Sequence, residues 1–281
     1  MVSGFTRTSN GPPEGGHYGH RPRLPIHPGS VLKAWGLTEK GQGRATNQDR
    51  FAIDDDLRVC VLADGMGGHN AGELAADIAV QAVLDVVRDP QQVGWPFGFD
   101  PSLSETGNLI RTAIHLANIQ VVECAGTSSA YAGMGTTIVA AIVFDGKLSV
   151  GHVGDSRLYR LTGGALRQVT GDDSWMATVA ASDPRADASV MEHHPMRHAL
   201  TKVVGNLRRS DVQVAEEELV AGDRLLLTTD GVHGVLDDRR IAALVLESRD
   251  TAGAAPALVR AAISAGSRDD CTAIVAQYSP D

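Results

Sequence analysis

Leu62-Ala63-Asp64-Gly65-Met66-Gly67-Gly68-His69 places a carboxylate and a set of glycines at the close of an apolar run that begins at Arg58. Such a run, bounded by glycines, reads as a strand, and a strand end is a rigid place to hold an acid. Gly65 lets backbone approach whatever the carboxylate holds, and Gly67-Gly68 permits a tight turn into a helical pattern starting near Glu73. Alone, Asp-Gly is equally the mark of an ordinary strand-to-helix turn with a solvated Asp. The rest of the chain has to decide between the two.

Upstream, residues 31–37 and 51–54 read as strands. Gly41-Gln42-Gly43-Arg44 and Asn47-Gln48-Asp49-Arg50 turn between them, and Asp54-Asp55-Asp56 reads as a solvated hairpin. Downstream, Ala76, Val80, Val83, Leu84 and Val87 recur at helical spacing, with Pro90 beyond the end. A second helix buries Ile110, Ala113, Ile114, Ala117 and Val121. Ser102-Leu103-Ser104-Glu105 has capping-box spacing at its start, and Gly107 weakens it. From Gly133 the texture changes to short strands at 136–144, 147–153, 157–161 and 165–170, which predict an antiparallel meander. Gly133-Met134-Gly135 is a poor dinucleotide motif because no helix follows it.

Residues 171–205 then break the pattern and predict a mobile excursion bearing some helix. His193, His194 and His198 within it lack an acidic or cysteine partner at regular spacing, which argues against a ligand cluster. Strands return at 212–219 and 224–229, the second ending in Thr229-Asp230-Gly231. An Asp237-capped helix to about 247, a last helix marked by Ala255, Leu258, Val259 and Ala262, and a strand at 273–278 complete the chain. Two helices, many antiparallel strands and two more helices suit layered α+β packing.

Composition narrows the classes. With 281 residues, 43% hydrophobic and 21% charged, the chain can bury a sizeable core, and residues 31–281 predict one large domain. Residues 1–30 are rich in Gly, Pro, Ser and His and predict a flexible arm, with His17, His20 and His27 solvated. A net charge of -9 argues against a nucleic-acid partner, since phosphate backbones are bound through clustered Lys and Arg. Cys60, Cys124 and Cys271 are scattered and odd in number, suggesting neither a disulfide framework nor a thiolate zinc site and fitting a reducing cytoplasm. No apolar run reaches membrane-spanning length and no signal-peptide order opens the chain, so a soluble protein without membrane contact is expected.

Asp49, Asp64, Asp155, Asp230 and Asp269 each lie beside a strand in a short polar motif. Carboxylates that converge must be neutralised, and no Lys or Arg run is available to do it. Hard divalent cations with oxygen ligands, Mn²⁺ or Mg²⁺, are the simplest solution. Two such ions about 4 Å apart lower a bridging water's pKa and stabilise in-line displacement at phosphorus. Spacing alone equally allows five separate turn residues.

The ordered motifs carry a resemblance. Arg44-Ala45-Thr46-Asn47-Gln48-Asp49, Asp64-Gly65-Met66-Gly67-Gly68-His69 with Gly72-Glu73, and Gly135-Thr136-Thr137 come first. Gly154-Asp155-Ser156-Arg157, Leu200-Thr201-Lys202-Val203-Val204-Gly205, Thr229-Asp230-Gly231 and Asp269-Asp270-Cys271-Thr272 follow. From about residue 35 to 278 the set resembles the bacterial type 2C protein phosphatases, the metal-dependent PPM family acting on phosphoserine and phosphothreonine. The resemblance implies a four-layer α-β-β-α sandwich, two antiparallel sheets flanked by helix pairs. It implies that Asp64 bridges two metals, with the Gly65 carbonyl on one of them, Asp230 and Asp269 on the first and Asp49 on the second. A metal-bridging hydroxide would be the nucleophile. Arg44 matches the phosphate-binding arginine, whose planar fork suits phosphate oxygens. Asp155 matches a ligand of a third, weaker metal shared with Asp230, and 171–205 falls where the family has its flap.

Three departures stand out. Gln48 replaces a frequent Glu, Asp270 follows Asp269 where Asn is common, and Asp173 stands where a His is usual. None removes an implied ligand. His69 is a candidate for the leaving-group proton because imidazole titrates near neutral pH, although the acid of eukaryotic relatives comes two residues after the Asp, where this chain has Met66. The expectation is a monomeric, cytoplasmic protein phosphatase opposing Ser/Thr kinases. The rivals are a catalytically silent phosphoprotein-binding scaffold and a small-molecule phosphohydrolase.

Overall fold

The structure, a computed structural model, describes residues 30–68, 71–182, 194–196, 199–206 and 212–280. The N-terminal arm, His69, His193 and His198 lie outside the described residues. Eleven strands are described: β1 (Ser30–Glu39), β2 (Asp49–Asp54), β3 (Val59–Met66), β4 (Gly135–Thr136), β5 (Ile138–Phe144), β6 (Lys147–Val153), β7 (Arg157–Thr162), β8 (Ala165–Gln168), β9 (Gln213–Glu218), β10 (Arg224–Thr228) and β11 (Cys271–Pro280). The helices are α1 (Ala71–Arg88), α2 (Pro90–Val93), α3 (Glu105–Ala125), α4 (Trp175–Ser182), α5 (Asp230–His233), α6 (Asp238–Glu247) and α7 (Thr251–Ser264).

The strands form two antiparallel sheets, one in the order β1-β11-β10-β7-β8 and the other β2-β3-β5-β6-β9, with β4 paired to β3. Alternation along β3 shows how the layers are held. Val59, Val61 and Ala63 pack with Val80, Val83, Ile110 and Ile114 of α1 and α3. Cys60 and Leu62, pointing the other way, pack with Leu225, Leu227 and Ile274 of the opposite sheet. On the far face, Leu226 and Val275 meet Ile241 of α6 and Leu258 of α7. Three apolar cores therefore separate four layers, and central strands buried on both faces read as unbroken apolar runs. The α-β-β-α sandwich is as expected.

Local expectations fail in instructive places. The predicted meander is two hairpins in different sheets: β5 and β6 pair in one, β7 and β8 in the other. Gly154-Asp155-Ser156 carries the chain across, so Asp155 sits between the sheets and not on a hairpin. Strand β3 runs past Asp64, pairing Gly65 and Met66 with Thr136 and Gly135. The cap of α3 is Ser104, whose side chain accepts from the Gly107 backbone, and not Ser102. Gly107 is there for space: a Cβ would fall 2.6 Å from Glu216 Oε1, the carboxylate that accepts from Ser104 N and Ser149 Oγ at the helix start.

Candidate active site

Sheet register brings the acids together. Asp49 opens β2 directly opposite Asp64 on β3. Thr228 of β10 pairs with Ala273 of β11, so Asp230, just past one strand, and Asp269, just before the other, emerge at the same end of their sheet. Asp155 joins them from the crossover between sheets. Asp64, Asp155, Asp230 and Asp269 line a cavity of about 530 Å³ with Arg44 and Gly65 at its sides and Leu200 and Val203 at its rim.

Backbone contact builds the floor. A Cβ on Gly65 would fall 2.0 Å from the Gly72 oxygen, so β3 and the first turn of α1 touch main chain to main chain. Gly231 is equally constrained, with the Asp270 oxygen 2.0 Å from where its Cβ would stand. Asp64 is held through its backbone by Thr137, which accepts from Asp64 N at 2.9 Å through its hydroxyl and donates its own N–H to Asp64 O at 2.8 Å. That leaves the carboxylate for the cavity.

Asp49 lies beneath, fully buried. Its Oδ2 accepts from the hydroxyls of Thr272 at 2.6 Å and Thr229 at 2.9 Å, whereas Oδ1 is buried with no hydrogen-bond partner. Burial, and then Asp270 and Asp230, push its carboxyl up to about 7 against the pull of the two threonines. Asp64 is held well above the ordinary carboxylate range by burial and then by Asp49, Asp230, Asp155 and Asp269. Asp155 is pushed up to about 7 by burial and then by Asp230 and Asp172. Among the described residues no three His, Cys, Asp or Glu side chains close to the spacing of a ligand shell. The donor set nevertheless fits hard divalent ions. It is all oxygen, it is rich in acids that repel, and Asp49 Oδ1 is the sort of orphaned acceptor that a cation satisfies.

This has a consequence for pH. Unfolded carboxyls ionise near 4, whereas folded Asp49 and Asp155 keep protons to about 7, so between those values the metal-free fold loses stability as pH rises. A cation must displace those protons. Calorimetry in buffers of different ionisation enthalpy is expected to show proton release on Mn²⁺ binding at pH 6 and less at pH 8. Binding at pH 6 without proton release would contradict the repulsion described above.

Arg44 forms an ion pair with Asp269 across the mouth of the cavity. The arginine expected to hold phosphate thus rests on a carboxylate expected to hold metal. Arg44→Ala is expected to weaken phosphate binding by roughly 1.5 to 3 kcal/mol, the range of a charge-assisted hydrogen bond. KM for a phosphopeptide should rise more than kcat falls, and an unchanged KM would place phosphate recognition elsewhere.

Asp270 takes no part in the cavity. Its two oxygens accept from Gly41 N and Gln48 N, both at 2.8 Å, tying the segment that carries Arg44 and Asp49 to the start of β11. Gln48 lines the cavity, its backbone oxygen accepting from Gly65 N at 3.2 Å and its side-chain Nε2 donating to Gly67 O at 3.4 Å. Arg157, two residues after Asp155, grips Asp172 with two hydrogen bonds of 2.9 and 2.7 Å. Asp173 is buried and pairs with Lys202. His194 stacks on Trp175, away from any ligand set.

A family model described as Protein phosphatase 2C matches residues 39–261. The chain is 28% identical over 243 residues to the serine/threonine phosphatase stp of Listeria welshimeri, covering 85% of this chain and 93% of that one. Among solved structures, the Mycobacterium tuberculosis serine/threonine phosphatase PstP/Ppp matches with a TM-score of 0.76 at 29% identity, over 88% of this chain and 98% of its own. The catalytic domain of PstP in complex with two manganese ions gives 0.74 at 26% identity, over 89% and 99%.

Proposed function

The chain belongs to the protein phosphatase 2C family, and from that membership we propose that it hydrolyses phosphoserine and phosphothreonine in proteins with the help of divalent metal ions. One observation carries the reading: acids from both sheets meet Arg44 around a single cavity, where burial and neighbouring acids hold up the carboxyls of Asp64 and Asp155. Mn²⁺ or Mg²⁺ held there supplies a water that ionises near neutral pH and charge to steady the phosphoryl oxygens. Asp64 would be shared between two ions, with the Gly65 carbonyl, Asp230 and Asp269 on one side and Asp49 on the other. Arg44 orients the phosphate. His69 remains a candidate to hand the leaving group its proton.

Asp155 would hold a third, weaker ion near Asp230. Arg157 is gripped by Asp172, and its charge acts on Asp155 only as a pull weaker than the push of burial, Asp230 and Asp172. Asp155→Ala is therefore expected to keep two tightly bound Mn²⁺ and its melting temperature, while phosphopeptide turnover falls at least about tenfold, roughly 1.4 kcal/mol of barrier. Near-normal kcat with two bound metals would rule the third site out.

The protein is further proposed to act as a monomer in the cytoplasm on substrates of Ser/Thr kinases. No helix among the described residues is long and apolar enough to cross a membrane. Residues 31–281 would form one catalytic domain, with the flap at 171–205. A phosphopeptide panel assayed beside nucleotides and sugar phosphates, with and without Mn²⁺, tests the function. Turnover of phosphopeptides only with metal supports it; preference for the small molecules, or binding without turnover, supports a rival.

A further inference from the structure

Asp173 sits in a buried polar knot that the hydrolytic chemistry does not use. Its side chain is 5% exposed. Oδ2 accepts from Gly154 N at 3.2 Å, and Asp173 N donates to Gly154 O at 2.9 Å, so both backbone groups of the residue before Asp155 are engaged. Oδ1 accepts from Gln213 Nε2 at 2.9 Å and pairs with Lys202 Nζ at 2.8 Å. Asp173 O accepts from Thr201 N at 2.8 Å. Ser174 bridges to Leu200, and Trp175 N, at the start of α4, donates to Ala199 O at 2.8 Å.

Two chain segments, 172–175 and 199–202, are thereby tied at one point. From there the second segment runs along the cavity. Leu200 and Val203 form its rim, and Val204 exchanges two backbone hydrogen bonds with Thr136, next to the Thr137 that holds Asp64. A buried carboxylate is costly unless a cation and donors satisfy it. Lys202 is the cation, and it stands between the two rim residues in sequence. The tie therefore fixes the rim relative to Asp155, and it does so through a charge pair that does not line the cavity.

We propose that the Asp173–Lys202 pair is a positioning clamp that sets the Leu200–Val203 rim against Asp155 and so favours a phosphorylated peptide chain over a small phosphomonoester. The inference rests on the phosphatase reading given above. A peptide has to lie across the rim, whereas p-nitrophenyl phosphate reaches the cavity floor without it.

The test compares wild type with Lys202→Met, Lys202→Arg and Asp173→Asn. In Lys202→Met, kcat/KM for a phosphopeptide is expected to fall at least about tenfold, that for p-nitrophenyl phosphate less than about threefold, and Lys202→Arg should restore most of the loss. Equal losses on both substrates, or none on either, would overturn the clamp. Amide hydrogen exchange on the same proteins needs no activity: Thr201 and Gly154 should exchange at least about tenfold faster in Lys202→Met and Asp173→Asn, with Leu227 in the core unchanged. Unchanged exchange at Thr201 and Gly154 would also overturn the clamp. Absence of Mn²⁺-dependent hydrolysis by the wild type would count against the phosphatase reading alone, the exchange data then deciding the clamp.

Discussion

Replacing Asp64 by Asn is expected to cut phosphopeptide kcat/KM at least about a thousandfold, roughly 4 kcal/mol of transition-state stabilisation, while leaving the fold intact. The size follows from position: Asp64 faces Asp49 across the β2–β3 ladder and shares the cavity with Asp155, Asp230 and Asp269. An amide keeps the shape but loses the charge that draws a cation between them. The main chain at 64 is held by Thr137 and does not depend on the carboxylate. Removing one acid from a mutually repelling set relieves strain in the metal-free protein, so its melting temperature at pH 7.5 should be unchanged or higher. Loss of activity and metal affinity without loss of stability separates a ligand from a structural acid. Unchanged Mn²⁺ affinity by calorimetry would remove Asp64 from the bridging position.

Much of the architecture was legible because it is written in periodicity. The α1 stripe from Ala76 to Val87 is buried at every position expected of it, and the Asp237 cap of α6 accepts from Arg240 N as its chemistry suggests. What periodicity cannot give is which strands share a sheet. The hairpins β5–β6 and β7–β8 look alike in sequence, and only the crossover at Gly154-Asp155-Ser156, where Gly154 has φ of 101°, assigns them to different layers.

The candidate site shows the same division. Acids beside strands were visible as motifs, whereas the side chains that hold them were not. Thr229 and Thr272, 43 residues apart, donate to one oxygen of Asp49, and a hydroxyl beside an acid in sequence gives no sign of such a partnership. Asp270, which stands where Asn is common, anchors the Arg44 segment from outside the cavity, and its place beside Asp269 in sequence names neither Gly41 nor Gln48 as its partner. The Asp173–Lys202 pair spans 29 residues of irregular sequence, and nothing in either local motif announces the other.

Removing divalent metal is expected to have the largest effect of all. Water has a bulk pKa near 16 and attacks a phosphomonoester at neutral pH only when cations ionise and orient it; burial and neighbouring acids hold the carboxyls of Asp49, Asp64 and Asp155 above their ordinary range, the environment that a cation relieves. The central measurement is phosphopeptide hydrolysis by wild-type protein stripped with EDTA, then titrated with Mn²⁺ while bound metal is counted. Activity should vanish in chelator and return as two ions per chain bind. Full turnover in excess EDTA, or two bound ions without turnover of any phosphopeptide, would contradict the assignment of this site as a metal-dependent phosphatase centre.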